Sequence, residues 1–346
     1  MTDRRDGGAA DRDRGAADRL LDTFGRAVEN LRISVTDRCD FRCVYCMPAE
    51  GLQWMAKAEI LTYEEIVRLV RAMAPLGVTN LRLTGGEPLL RQDLPDLVRE
   101  VVRVPGIRNV ALTTNGTRLE AMAAPLAAAG LHRVNVSLDA LDPARFTALA
   151  RRDRLDKVLR GLAAVEATAI RPIKLNAVVV RGMNDEEILP LAELARTRPF
   201  VVRFIEFMPI GKDDGWGPDR VVRSAEVRAR IHARWPIEPV NGGPRGTKPA
   251  DRFRFSDGAG EIGFVSSVSE PFCAHCNRIR LTADGKLRNC LFSTDETDLK
   301  TPLRAGASDR ELTQLIRECV WRKKAGHEIN EEGFIRPIRT MSQIGG

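Results

Sequence analysis

Six of the seven cysteines fall into two triads, each spaced to hold an iron–sulfur centre: Cys39, Cys43 and Cys46 at C-x3-C-x2-C, and Cys273, Cys276 and Cys290 at C-x2-C-x13-C. Thiolate is the soft ligand such clusters demand. A loop as tight as Cys39–Cys46 can aim three sulfurs at one 4Fe-4S cubane, and three ligands instead of four leave one iron open to a small molecule. Structural zinc is the competing chemistry. It is weak for the first triad, because zinc sites typically use separated pairs and no fourth Cys or His lies nearby. For the second triad His275 could complete a Cys3His site, although it adjoins Cys276 inside the knuckle and is badly placed to reach the same ion. The seventh thiol, Cys319, shares helical spacing with Leu312, Leu315, Ile316 and Val320 and reads as core. His132, His232 and His327 lack metal-ligand spacing and read as surface or core polar residues.

Other residues suited to chemistry sit at the ends of apolar runs. Thr84-Gly85-Gly86-Glu87-Pro88 offers bare backbone and a carboxylate, an acceptor patch for a protonated amine. Thr113-Thr114-Asn115-Gly116 and Ser137-Leu138-Asp139 could bond a ribose, a carboxylate or a phosphate, or simply cap the next helix. Arg32, Arg82, Lys174 and Arg203 lie inside strand-like runs, where a charge needs a partner or an anion. Their partner is an anionic ligand or a barrel carboxylate such as Glu206. In Arg278-Ile279-Arg280 alternation puts both guanidinium groups on one strand face, a fork suited to phosphate oxygens. The chain closes on Gly345-Gly346, slim enough to thread into a confined site or free to fray.

The elements that must position these residues alternate. Strand-like runs at 31–36, 80–84, 109–114, 133–138, 173–180 and 202–208 are separated by helical periods such as Ile66, Leu69, Val70 and Met73 after the capping box Thr62-x-x-Glu65. Asp142-Pro143 and Asn184-Asp185 open later helices, and Pro125 should kink or split a helix over 118–130. Six such units predict an α/β fold with a parallel sheet, right-handed crossovers and chemistry at the C-terminal strand ends. Spacing does not tell whether the sheet closes. Residues 1–20 balance acidic against basic side chains among Gly and Ala and read as a disordered tail. Residues 21–210 hold the repeating units. From 211 to 346 the pattern becomes Gly-, Pro- and charge-rich, with short strands near Phe253, Ile262 and Ile279 and a last helix over 309–323, which predicts a smaller C-terminal α+β domain over the opening of the first.

Composition bounds the partners. The chain has 346 residues, 43% of them hydrophobic, without an apolar run long enough to span a bilayer. Cysteines bunched as metal ligands fit a reducing, cytoplasmic setting better than a disulfide framework. Although the net charge is +7, 54 basic residues are interspersed with 47 acidic ones and aromatics make up only 5%. A small anionic substrate therefore fits better than nucleic acid or a membrane.

SVTDRCDFRCVYCMP, LTGGEPLL, VNVSLDAL, FIEFMPIG, FCAHCNRIRL with Cys290, and the terminal Gly-Gly together resemble the GTP 3',8-cyclases of molybdenum cofactor biosynthesis, within the radical S-adenosylmethionine (SAM) superfamily. The resemblance runs from about residue 22 to the end. It implies an incomplete (β/α)6 TIM-like barrel, two 4Fe-4S clusters and SAM. Cys39, Cys43 and Cys46 would hold the SAM cluster, with Tyr45, Gly86, Ser137 and Met208 contacting SAM; Cys273, Cys276 and Cys290 would hold an auxiliary cluster. Arg32, Arg82, Thr113, Lys174, Arg278, Ile279 and Arg280 would bind GTP. Arg32, Arg278, Arg280, Gly345 and Gly346 would serve the catalytic step, in which C3' of the ribose attacks guanine C8. The implied partners are GTP, a flavodoxin- or ferredoxin-like electron donor and the downstream cyclic pyranopterin monophosphate synthase, with a homodimer left open. A radical SAM peptide maturase is the nearest alternative, though it would usually carry more C-terminal cysteines; a non-catalytic iron–sulfur or zinc module that binds nucleic acid is the more distant one.

Overall fold

A computed structural model describes residues 19–211, 215–240 and 246–345. The expected N-terminal tail lies, apart from Arg19 and Leu20, outside the described residues.

The six repeating strands form where apolar alternation places them: β1 (Asn30–Ser34), β2 (Asn80–Thr84), β3 (Asn109–Thr114), β4 (Arg133–Ser137), β5 (Ile173–Val179) and β6 (Phe200–Glu206). They pair in sequence order, all parallel. Leu31, Ile33, Leu81, Leu83, Val110, Leu112, Val134 and Val136 are fully buried, as are Ile173, Leu175 and Val202. Burial drives this face against the helices. The alternate residues, among them Arg32, Arg82, Thr113, Ser137, Asn176 and Arg203, line a cavity on the opposite face. Helix α1 (Tyr63–Met73) starts at the expected capping box: Glu65 N–H donates to Thr62 Oγ1 and Thr62 N–H to Glu65 Oε2. Helix α2 (Leu119–Ala128) runs through Pro125 as one helix instead of splitting there.

The segment after Gly211 does more than lie over the opening. Strands β9 (Glu261–Val265) and β10 (Arg278–Leu281) join the parallel sheet from its two sides, β9 beside β6 and β10 beside β1. Beyond them, β8 (Asp251–Phe255) and β7 (Ile237–Pro239) extend one edge antiparallel; β11 (Lys286–Arg288) and β12 (Thr297–Asp298) extend the other. The described residues thus form one twelve-stranded open sheet. Extended segments outside a βα repeat carry no sequence mark of which edge they will join.

Glu206, at the end of β6, locks this joint. It is 1% exposed and accepts from the N–H groups of Ser224, Val268 and Ser269 and from the Ser269 hydroxyl. These partners correct the expectation that Glu206 would pair with a strand cation. Glu206→Gln turns one acceptor oxygen into a donor facing these N–H groups. It should cost about 1.5–3 kcal/mol, read as a lower denaturant midpoint at unchanged slope.

Candidate active site

The first thiol triad sits in the loop after β1, and that loop is sewn to the glycine turn after β2. Gly86 N–H donates to Thr36 O at 2.8 Å and Glu87 N–H to Arg38 O at 2.7 Å. A Cβ on Gly86 would collide with the carbonyls of Asp37 and Arg38, so only glycine permits this approach. From outside, the Arg42 guanidinium donates to the carbonyls of Cys39 and Phe41, both at 2.8 Å, and Arg151 reaches those of Arg42 and Met47. All three thiols are half-buried and line the cavity. Burial raises each thiol pKa; Cys39 is raised further by Glu87, Cys43 by the neighbouring Cys46 thiol. Cys46 is pushed up to about 12 by burial, partly offset by the Ser342 N–H.

Tyr45, Gly86, Ser137 and Met208, the expected SAM contacts, line the same cavity. So do two buried carboxylates. Glu87 is pushed up to about 7 by burial, against hydrogen bonds from Asn115 N–H, Thr114 Oγ1 and Leu89 N–H at 2.6, 2.7 and 2.9 Å. Asp139, pushed up to about 6 by burial, accepts from the Tyr45 hydroxyl at 2.5 Å and from Val178 N–H at 2.8 Å.

The middle of the cavity is cationic by construction. Parallel pairing sets Arg280, Arg32 and Arg82 side by side across β10, β1 and β2. Across Ala111 of β3 the same row reaches Arg133 of β4. Like charges placed directly opposite repel, and here they are also desolvated. Burial and then neighbouring arginines lower Arg32 to about 10 and push Arg82 and Arg280 down as well. Burial and Arg133 lower Arg203 to about 10. Among the described residues the side chains of Arg32, Arg82, Arg203 and Lys174 have neither an ion-pair partner nor a hydrogen bond. Arg278 stacks over Phe272 at 4.8 Å and leaves its Nη2 buried without a partner. An arrangement like this is stabilised only when an anion enters.

Ile279 alternates away and is fully buried in the core, so only its backbone is near the cavity. Lys174 is not part of the cavity wall, yet burial, then Arg203, Arg133 and Arg82, depress its ammonium to about 7. Arg133 escaped the sequence reading; its one signal was a cation heading the run RVNVSL. Its Nε is buried and unpartnered.

The second triad faces the first. Cys273, Cys276 and Cys290 line the same cavity, carried by the turn before β10 and the loop after β11. Burial would raise Cys276, but Arg278 and Lys323 outweigh it and hold the thiol at about 6. His275 is exposed and points away from zinc chemistry. Among the described residues no three His, Cys, Asp or Glu side chains gather as closely as one metal ion requires. Two sets of three soft donors that line one cavity suit iron–sulfur cubanes, whose irons take thiolate ligands. His327, read from sequence as an ordinary polar residue, lines the cavity, packed on Phe292 at 5.0 Å. The cavity measures ≈ 280 Å³.

The C-terminus enters this space. Arg339 is clamped by Asp284 at 2.8 Å and Glu296 at 2.8 Å, the short helix Met341–Ile344 follows, and Ile344 is fully buried. Gly345 has φ +84°, and a Cβ there would stand 2.5 Å from Ser34 Oγ. Its carbonyl accepts from Arg280 Nη1. Gly346 lies outside the described residues.

Comparison with known proteins places this geometry. Residues 33–195 match the Radical SAM superfamily and residues 200–329 match Molybdenum Cofactor Synthesis C. GTP 3',8-cyclase of Corynebacterium glutamicum is 46% identical over 94% of this chain and 89% of its own length. The Streptomyces coelicolor GTP 3',8-cyclase is 45% identical, over 94% and 96%. That of Pelotomaculum thermopropionicum is 48% identical, over 94% and 100%. In fold alone, the chain resembles Streptococcus suis SuiB bound to precursor peptide SuiA, with a TM-score of 0.61 at 15% identity over 92% of this chain and 77% of that one. It also resembles native anSMEcpe with bound AdoMet, with a TM-score of 0.57 at 14% identity over 87% and 82%.

An anion favours the ammonium form of Lys174, so its pKa rises on binding. With a free value near 7 the group is mostly protonated at pH 6 and mostly neutral at pH 8. Calorimetry of inorganic triphosphate binding in buffers of different ionisation enthalpy should show about one more proton taken up at pH 8 than in Lys174→Met. At pH 6 the two proteins should agree.

Proposed function

The chain belongs to the GTP 3',8-cyclase family of radical SAM enzymes, and from that premise we propose how its cavity performs the family's reaction. The enzyme converts GTP to (8S)-3',8-cyclo-7,8-dihydroguanosine 5'-triphosphate, the first step of molybdenum cofactor biosynthesis. It uses two 4Fe-4S clusters and SAM. What carries the assignment of residues is that both thiol triads and a row of cations without counter-ions line one cavity.

Cys39, Cys43 and Cys46 would hold the cluster that binds SAM, and that group, when bound, would supply the radical chemistry that removes the ribose 3' hydrogen. Glu87 and the bare backbone at Gly86 would receive the SAM amino group, and Tyr45, Ser137 and Met208, which line the same cavity, would contact the rest of SAM. Cys273, Cys276 and Cys290 would hold the auxiliary cluster. Arg32, Arg82, Thr113, Lys174, Arg278, the Ile279 backbone and Arg280 bind GTP, chiefly its triphosphate. Desolvated guanidiniums already aligned in the strand register bind phosphate with little reorganisation. Anchoring the triphosphate holds C3' and C8 at a fixed distance, so that binding energy is spent on orientation. Arg32, Arg278 and Arg280 serve the catalytic step together with Gly345 and Gly346; the Gly345 carbonyl accepts from Arg280 and ties the end of the described chain to the cationic row.

In this reading residues 21–210 form the radical SAM unit and 211–346 the auxiliary-cluster unit, interleaved through one sheet. A flavodoxin- or ferredoxin-like protein supplies electrons, cyclic pyranopterin monophosphate synthase takes the product, and the cytoplasm is the setting. Among the described residues no helix is long and apolar enough to cross a membrane.

Anaerobic turnover of GTP deuterated at C3' should place the label in 5'-deoxyadenosine, and Cys43→Ser should abolish 5'-deoxyadenosine altogether. SAM cleavage that persists in Cys43→Ser would refute the cluster assignment. Arg278→Ala and Arg280→Ala should each weaken GTP by about 1.5–3 kcal/mol and guanosine far less; equal losses for both ligands would remove the phosphate role.

A further inference from the structure

Behind the second thiol triad sits a buried ammonium. Lys323 follows the helix Asp309–Trp321 and is 3% exposed. Its Nζ donates to the Arg278 carbonyl at 3.0 Å and, in a shorter bond, to the Asn289 carbonyl. Arg278 stands two residues after Cys276, and Asn289 directly precedes Cys290. One side chain therefore bridges the two chain segments that deliver the three thiols.

Among the described residues Lys323 has no carboxylate partner. A buried ammonium bonded only to neutral carbonyls keeps a large desolvation cost unless negative charge lies close by. The other cations near this triad are accounted for. Arg26 reaches the Cys273 carbonyl but is paired with Asp22 at 2.6 Å. Arg278 and Arg280 line the cavity, where substrate phosphate can neutralise them. Lys323 lies outside the cavity wall, so no substrate can reach it.

We propose that Lys323 is a positioning residue for the auxiliary cluster, whose fixed positive charge holds that cluster's reduction potential up. This rests on the reading that Cys273, Cys276 and Cys290 carry a 4Fe-4S centre. Three thiolates leave such a centre net negative, and more so once reduced; a buried cation a few bonds away stabilises the reduced form most. Because Lys323 is walled off from the cavity, the contribution stays the same whether substrate is bound or absent.

The test is a potentiometric titration of the reconstituted full chain, followed by electron paramagnetic resonance, for the parent, Lys323→Met, Lys323→Gln and Lys323→Arg. The auxiliary signal should move to more negative potential in Met and in Gln and return towards the parent value in Arg, with the first cluster's signal unmoved in all four. An unchanged auxiliary potential in Met or Gln overturns the proposal. So does a common shift of both clusters, or loss of auxiliary iron in Lys323→Arg as well, which would make the lysine a structural tie only. A parent chain holding about four irons instead of about eight would overturn the two-cluster reading itself, a failure distinct from any result on the variants.

Discussion

Guanidinium groups stacked in parallel register, out of water and without counter-ions, are the constraint on which the structure turns. Arg280, Arg32 and Arg82 face one another along hydrogen-bonded strands, and no ion pair with a carboxylate relieves their mutual repulsion among the described residues. The fold tolerates the row because a large apolar core on the other face of the same strands offsets it. Stability is thus spent to keep a binding surface preformed, a common arrangement at sites where charge must be held ready.

Placed about this row, the two thiol triads sit in opposite fields. The first has carboxylates for neighbours, Asp40, Glu87 and Asp139, and every thiol in it is raised. The second has Arg278 and Lys323, which lower Cys276, while burial raises Cys273. The carboxylate surroundings suit a strongly reducing centre and the cationic ones a centre that meets an anionic substrate. The difference arises from which loops meet which strand ends, with no change of ligand type.

Much of this was legible in the sequence because it is local. Asn80–Thr84 and Asn109–Thr114 appear as strands where the apolar runs put them, the Thr62–Glu65 box opens its helix, and Arg278 and Arg280 share a face by simple alternation. What escaped depends on long-range pairing. Nothing in residues 261–265 or 278–281 specifies the edge of the sheet each will join. Glu206 looked like a partner for a strand cation because its real partners, Ser224, Val268 and Ser269, are distant loop amides. His327 looked inert because its neighbours in space, Phe292 and Ser267, are far away in sequence. Lys174 looked like a residue of the lumen, yet it is not among the residues that line the cavity.

The pairing of β1 with β10 also governs the order in which this protein can be made. Glu29 and Asn277, which bond across that seam, are 248 residues apart. Until the ribosome has produced the later strand, the β1 flank of the parallel sheet stands open, a row of unsatisfied amides able to recruit another chain. A prematurely terminated polypeptide would therefore be sticky as well as idle, and the cell must shelter the nascent barrel until its last third emerges.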